Sequence, residues 1–274
     1  MSTGKTRNRH FQPLTKRGSA NKTLDMAQDF LAQSPTVPTD DQRRSLLHSV
    51  GCLAATAIAG GIAPSAMGKV SFKPYDPSLL INEFGDPIRA GDLVVAEPYV
   101  FNYPFQGTPA FLIRLAGPVR TSRLKTESGQ TYESLSGVGP NQTIVAFSAI
   151  CAHKMMYPTP NISFIGLRKG VGREPQTVIH CCGDDSRYDP SQGAQVIGGP
   201  APQPLACIVM RHDPKTDGLR AVGTLGGEMF KAFFDKYEFK LNIDNGPKSK
   251  QLCTSTTVCK ELKRYSRQLQ GCPA

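Results

Sequence analysis

Short apolar segments alternate with polar turns along most of this chain. From about residue 92 onward, the apolar runs have the length and the Val, Ile, Leu and Phe content that are typical of strands. They predict strands at Leu93–Val95, Ala110–Leu115, Thr143–Ala149, Thr177–His180 and Leu205–Met210. A later stretch, Met229–Phe239, fits either an amphipathic helix or a pair of strands. The pattern therefore predicts an all-β domain.

The pattern before that domain is different. Residues 1–44 are basic and contain few large apolar residues, so we expect a disordered cytoplasmic extension. A mostly apolar run of about twenty residues follows within 45–67, directly after Arg43-Arg44, and residues 68–90 are expected to form a linker. This arrangement is typical of a twin-arginine export signal, and the run is long enough to span a bilayer as a helix. We predict an uncleaved anchor because Pro64 interrupts the small-residue cleavage site, with a buried Ala-rich helix as the alternative.

The charge distribution supports an anchored protein. The chain carries a net charge of +10, with its basic excess in 1–44 and 211–274. No basic-aromatic stripe or nucleic-acid motif accompanies this charge, so we expect no nucleic-acid partner. Positive residues ahead of the apolar run favour an N-terminus on the cytoplasmic side. We therefore expect a single-pass protein of a bacterial-type inner membrane, with its globular domain in the periplasm.

The eight cysteines fall into three groups. Two lie in apolar runs and are expected to be buried small side chains: Cys52 and Cys207. Three lie in the predicted C-terminal tail, 247–274, where a disulfide fits an oxidising compartment but the sequence does not give the pairing: Cys253, Cys259 and Cys272. Three lie among His and Asp residues, which is the composition of a metal site: Cys151, Cys181 and Cys182.

Two short motifs place these potential ligands at strand ends. Cys151-Ala152-His153 follows one apolar run directly, and the segment Cys181–Pro190 follows another. A rigid strand end can hold ligands in place. Two such loops facing each other can bind two irons, one through thiolates and one through nitrogen or oxygen donors.

The motifs resemble the Rieske family, whose pattern is Cys-x-His, then Cys-x-x-His-Gly-Ser-x-(Tyr/Phe)-Asp, then Gly-Pro-Ala-Pro-x-x-Leu. In this chain a spacer of 27 residues separates His153 from Cys181-Cys-Gly-Asp-Asp-Ser-Arg-Tyr-Asp189, and Gly199-Pro-Ala-Pro-Gln-Pro-Leu205 follows. Tyr99–Leu115 also resembles the strands that lead into such domains, so the resemblance covers about residues 90–210. It implies a Rieske-like antiparallel β-sandwich over 91–246. A small cluster-binding subdomain would contain cluster loops 151–160 and 181–190 and the proline loop 198–205.

The ligand set departs from the family pattern at one position, because Asp184 stands where the family has its second histidine. The resemblance implies a [2Fe–2S] cluster, and the preferred ligands are Cys151, His153, Cys181 and Asp184. Two other assignments stay open: Cys182 as a third thiolate, or His180 turning in from its strand, although strand alternation could point it away.

Three further residues have expected roles by resemblance. Ser186 and Tyr188 would donate hydrogen bonds to cluster sulfurs and raise the reduction potential. Met156 stands in the region where the respiratory family has a cysteine that bridges the cluster loops, so the usual disulfide between these loops is in doubt.

The sequence thus predicts a membrane-anchored electron-transfer protein with a Rieske-type cluster, and a subunit of a respiratory oxidoreductase is one setting for it. Its partner would be a redox protein or a membrane quinol or cytochrome complex, and the chain would not be a stand-alone catalyst. One alternative is a Rieske fold without a functional cluster, acting as an assembly or interaction subunit. Another is a periplasmic zinc- or copper-binding protein.

Overall fold

The computed structural model describes residues 72–272, and this part of the chain is mostly β. Its strands are, in chain order, β1 (Lys73–Ile81), β2 (Pro98–Asn102), β3 (Pro109–Arg114), β4 (Arg123–Lys125), β5 (Thr131–Glu133), β6 (Ile144–Ser148), β7 (Ile162–Ser163), β8 (Ile165–Lys169), β9 (Thr177–Cys181), β10 (Ser186–Asp189), β11 (Gln195–Gly198), β12 (Cys207–Asp213), β13 (Gly218–Leu225), β14 (Thr256–Val258), β15 (Lys260–Glu261) and β16 (Gln268–Leu269). Its helices are α1 (Phe230–Asn245) and the single turn α2 (Leu262–Tyr265). Single 3-10 turns occur at Ala90–Asp92, Pro140–Gln142, Pro190–Gln192 and Gly246–Lys248.

Two sheets form the framework. The large sheet has eight strands in the order β14-β1-β13-β12-β6-β3-β2-β15, and the small sheet has four in the order β11-β10-β9-β8. Within these sheets the pairing is antiparallel except between β1 and β14. Two-stranded pairs, β4 with β5 and β16 with β7, complete the described fold. The predicted all-β class with a smaller subdomain is confirmed for these residues.

The large sheet is buried on both faces, and β3 shows why. Successive side chains of a strand point to opposite faces. Phe111 and Ile113 therefore enter the core that joins the large sheet to the small sheet, while Ala110 and Leu112 enter a second core with Leu80. The first of these cores also contains the buried residues of the candidate metal centre.

Most predicted strands are present within one or two residues of their expected ends. An exception is Leu93–Val95, where a single bridge from Val95 to Arg114 replaces a strand. The stretch Met229–Phe239 lies mainly in helix α1, so the helical alternative is correct. Its aromatic residues pack against Ile150 and Tyr157, beside the first ligand loop.

The domain edges differ from expectation. The predicted linker, 68–90, contains β1, which pairs with β13 in the large sheet. The predicted tail, 247–274, supplies β14 and β15 to the same sheet. Both segments are held by backbone hydrogen bonds, which the local polar composition did not indicate.

Between residues 72 and 272, none of the helices is both long enough and apolar enough to cross a membrane. The predicted extension 1–44, the predicted anchor 45–67 and Cys52 lie outside the described residues.

Candidate metal centre

Two strands end at the same place and bring the two ligand loops together. Strand β6 leads through residues 149 and 150 to Cys151, and β9 ends at Cys181. Both cysteines are completely buried in the core shared by the two sheets. In the small sheet Cys181 pairs with Ile165 and with Ser186, so three backbone strands fix its position.

The donor atoms of three predicted ligands converge. Cys151, Cys181 and Asp184 each offer one atom, and these atoms lie within 4.8 Å of one another. The Cys151 thiol is 3.3 Å from Oδ2 of Asp184 and 3.6 Å from Oδ1. The Asp184 side chain is only 2% exposed, although it is a carboxylate. Two soft donors and one hard donor are thus held together in a site shielded from water.

The fourth predicted ligand, His153, lies at the rim of this group. Its Nδ1 is 3.1 Å from Oδ2 of Asp184, and its side chain is 37% exposed. It therefore reaches the buried donors through Asp184. Among the four preferred ligands, His153 is the one whose side chain is accessible to solvent.

The two thiols share their protonation. The Cys181 thiol lowers the pKa of Cys151 to about 7 against the opposing effect of burial, with further help from Tyr188 and the backbone N–H of His153. The same contact raises the pKa of Cys181, since its proton is donated to Cys151 and burial disfavours a second thiolate. The pair thus forms one thiolate easily, and a bound cation is needed to remove the second proton.

Asp184 is held in its ionised form. Burial would raise its pKa, but hydrogen bonds outweigh that effect and leave the pKa lowered, the largest of them from the Ser186 backbone N–H at 3.0 Å from Oδ1. The donor set therefore gathers negative charge in a buried place, and such a set is suited to a cation.

Tyr188 is placed as predicted for a donor to the site. Its hydroxyl oxygen accepts the Ala152 N–H at 3.1 Å and lies 3.3 Å from Sγ of Cys151. Since the oxygen already accepts a hydrogen bond, its proton can be donated to the Cys151 sulfur. Burial and the nearby Cys151 charge raise the pKa of Tyr188, so the phenol keeps this proton.

Ser186 is buried beside the same donors. The residue is completely buried, and its Oγ lies near the Asp184 carboxylate and the Tyr188 hydroxyl. It makes no hydrogen bond of good geometry within the described residues. An unsatisfied buried hydroxyl is costly unless an acceptor is supplied. A sulfide or other anionic acceptor at this centre would satisfy it, so the residues present fit an iron–sulfur group on this observation as well as by the chemistry of the donor set.

The loops touch each other through Met156 and Gly183. A Cβ at Gly183 would lie 1.8 Å from Sδ of Met156, so a larger residue there would displace the thioether. The thioether of Met156 thus lies directly on the second loop. Met156 therefore fills the space between the two loops by packing.

The proline loop lies against the second ligand loop. Gly199 has φ +81°, and a side chain there would meet the carbonyl oxygen of Asp185 at 2.2 Å. Ala201 and Leu205, from the same loop, pack in the core that contains Cys151 and Cys181. The three motifs that were separate in sequence are therefore neighbours in space.

The structure argues against both ligand assignments that the sequence left open, and the first of them is Cys182. Cys182 forms a disulfide with Cys272, so it has no free thiolate and is not a third ligand. The disulfide expected within the tail thus reaches into the second loop, while Cys253 and Cys259 are free and buried. Cys207 is free and only half-buried, whereas its apolar run predicted a buried side chain.

His180 faces away from the donors, as strand alternation suggested. Its Nδ1 accepts from Nε of Arg168 at 2.7 Å, and its Nε2 lies 2.7 Å from Oδ1 of Asp185. Both ring nitrogens are therefore engaged on the opposite face of the small sheet. The alternative in which His180 turns in to bind iron is not supported by this geometry.

Sequence reasoning missed the acid–base network around His180. Glu174 accepts from both terminal nitrogens of Arg168, at 2.6 and 2.9 Å, and from Arg187 at 3.2 Å. The Arg168 guanidinium, the Val171 backbone N–H and Arg187 lower the pKa of Glu174 to about 2. The sequence did contain a signal for two separate groups of polar residues. Residues 180, 185 and 187, which belong to one group, alternate along the chain with residues 181, 184 and 188, which belong to the other.

One solved structure similar to the chain is the soluble domain of the Rieske protein II (soxF) from Sulfolobus acidocaldarius. The sequences are 26% identical, the alignment covers 57% of this chain and 82% of that chain, and the TM-score is 0.39. No protein-family profile matches the chain.

Proposed function

We propose that this chain is an electron-transfer protein that carries a Rieske-type [2Fe–2S] cluster. The observation that supports it most is the meeting of two Cys-containing strand-end loops, which set Cys151 and Cys181 beside Asp184, with His153 at the rim. The order of the three sequence motifs also resembles that of the Rieske family. Such a cluster supplies one-electron oxidation and reduction.

In this proposal Cys151 and Cys181 hold one iron, and Asp184 and His153 hold the other. Tyr188 donates to the Cys151 sulfur, and the Ser186 hydroxyl is available to a sulfide. Burial of the cysteines excludes water from the thiolate side, while His153 presents the exposed edge through which an electron can pass. The partner would be a redox protein or a membrane quinol or cytochrome complex.

The test is anaerobic purification followed by iron and acid-labile sulfide analysis. The expected protein is brown, with equal amounts of iron and sulfide and an electron paramagnetic resonance signal after reduction. A colourless protein without sulfide, even after anaerobic reconstitution, would contradict the proposal.

A mononuclear metal ion is the second candidate, and one observation favours it. Donor atoms within 4.8 Å of one another can bind a single tetrahedral ion, whose bonds to sulfur and oxygen are about 2.0–2.3 Å long. To hold the two different irons of a cluster, the Asp184 carboxylate would have to lie farther from the Cys151 sulfur than the 3.3 Å in this structure. One zinc or copper ion per chain without sulfide would favour this candidate over the cluster.

We also propose that the Arg43-Arg44 pair and residues 45–67 export and anchor the domain in an inner membrane. The sequence pattern supports this proposal. Replacing both arginines by lysine keeps the charge but removes the guanidinium pair, so the protein should stay in the cytoplasm. Unchanged export in a cell-fractionation assay would contradict it.

A further inference from the structure

We propose that residues 266–272, which we call the C-terminal strap, tie the two ligand loops together, and that Cys272 is a positioning residue for the metal centre. This inference rests on the proposed function, because it concerns the geometry of the same donors. Three groups of contacts carry it.

One end of the strap is bound to the segment that leaves the first ligand loop. The buried Ser266 hydroxyl donates to the carbonyl of Thr159 at 2.7 Å. The next two backbone N–H groups, at 267 and 268, donate to the carbonyls of Pro160 and Asn161, each at 3.0 Å. Strand β16 therefore runs parallel to β7 and follows the exit of the first loop.

The other end of the strap reaches the second ligand loop. The Gln270 N–H donates to the carbonyl of Ser163 at 2.9 Å, and the Cys182 N–H donates to the carbonyl of Phe164 at 2.7 Å. The disulfide from Cys272 to Cys182 then closes the connection. The strap thus spans from the exit of the first loop to the residue directly after the ligand Cys181.

This connection has a definite consequence for the donors. The contact of Met156 with Gly183 joins the loops without a covalent bond. The disulfide adds a covalent tie next to Cys181, across a sequence separation of 90 residues. A tie at that position restricts the local opening of residues 181–184, and therefore holds Cys181 and Asp184 in reach of Cys151.

The experiment compares Cys272→Ser and Cys182→Ser with the full-length protein. Cys207→Ala is the control, since it removes a free cysteine that lies outside the strap. Two readouts are used: the rate of iron release to a chelator from the loaded protein, and amide hydrogen exchange of residues 181–187 in the metal-free protein. A phosphine reductant added to folded wild type repeats the test without a substitution.

Both serine variants should release iron about tenfold faster than wild type, and to the same extent, while the control releases it at the wild-type rate. Exchange at residues 181–187 should rise in both variants and in reduced wild type, with no change in the large sheet. If Cys182→Ser alone loses iron, Cys182 is a ligand and the strap does not act as proposed. Wild-type exchange at residues 181–187 in Cys272→Ser would equally overturn the inference.

The exchange measurement separates this inference from the proposed function. A wild-type chain that binds no iron would overturn the proposed function, yet the metal-free exchange would still show whether the strap holds the second loop.

Discussion

The small sheet carries a polar cluster on each face, and the two clusters differ in charge balance. On one face, His180, Arg168, Glu174, Arg187 and Asp185 pair with one another. On the other face, Cys151, Cys181 and Asp184 can carry three negative charges, with His153 at the rim. In the first cluster, each carboxylate is paired with an arginine or a histidine. In the second cluster, the thiols can lose both protons only if a bound cation balances the negative charge. This requirement makes the second cluster the candidate for metal binding.

The residues of the two clusters alternate along the same strands. Cys181 and Tyr188 face the core of the large sheet, and their neighbours His180 and Arg187 face the other way. A group of titratable residues is therefore not by itself a metal site. On one face of the small sheet the charged side chains are paired with each other. On the other face the metal-ligating side chains have no counter-charge.

The largest expected effect is the loss of metal after removal of a thiolate. Cys151→Ser and Cys181→Ser should each abolish iron and sulfide content, because a missing thiolate opens a coordination position. Glu174→Gln, on the opposite face, should retain the wild-type content. Elemental analysis of anaerobically purified proteins checks both sides of the comparison, and equal metal loss in Glu174→Gln would contradict it.

The second largest expected effect is a shift in the reduction potential of the proposed cluster. An ionised carboxylate adds negative charge beside an iron that accepts an electron, so Asp184→His should raise the reduction potential by an amount on the order of 100 mV. About 59 mV corresponds to a factor of ten for a one-electron couple. Protein-film voltammetry measures the shift.

The matched control is Asp185→Asn, since the Asp185 side chain points to His180 and Arg187. It should leave the potential nearly unchanged. An unchanged potential in Asp184→His would show that Asp184 is not a ligand.

A smaller effect is expected on the free energy of unfolding, through the ion pairs of Glu174. Arg168 lowers the pKa of Glu174 from its ordinary value of 4.5 to about 2. A depressed carboxyl pKa contributes stability above the unfolded value, and this contribution is lost as the pH falls towards 2. Glu174→Gln should therefore lower the free energy of unfolding by about 1–2 kcal/mol at pH 7.

The difference between Glu174→Gln and wild type should shrink progressively below about pH 4.5. Urea denaturation at several pH values measures it. If the difference in the free energy of unfolding is the same at pH 7 and at pH 3, the charge of Glu174 does not stabilise the folded protein.

The smallest effect should follow Tyr188→Phe, which removes one donor to the Cys151 sulfur. The pKa of Cys151, about 7 in wild type, should rise because Tyr188 contributes to lowering it. The potential of the loaded protein should fall by an amount on the order of tens of millivolts. Thiolate absorbance in the metal-free protein and voltammetry in the loaded protein check the two effects.

Tyr132→Phe is the control for this substitution, because the buried Tyr132 hydroxyl has no hydrogen-bond partner among the described residues. Neither the thiolate titration nor the potential should change in this variant. An equal change in both variants would attribute the effect to packing.

The all-β class and the position of the two ligand motifs at strand ends could be predicted from the sequence. Apolar runs with strand composition are local signals, and ligand residues directly after such runs are placed by the strands themselves. Strand alternation also indicated that His180 and Cys181 point to opposite faces, and the structure agrees. These features depend on neighbours along the chain.

Which distant residues support the centre depends on the folded arrangement of the strands. Cys272 pairs with Cys182 across 90 residues, and β1 and β14 join the large sheet from segments that composition assigned to a linker and a tail. The pKa of Glu174 is lowered because arginines from β8 and β10 both contact it. Such contacts depend on how strands from separate parts of the chain pair, and no local pattern contains that information.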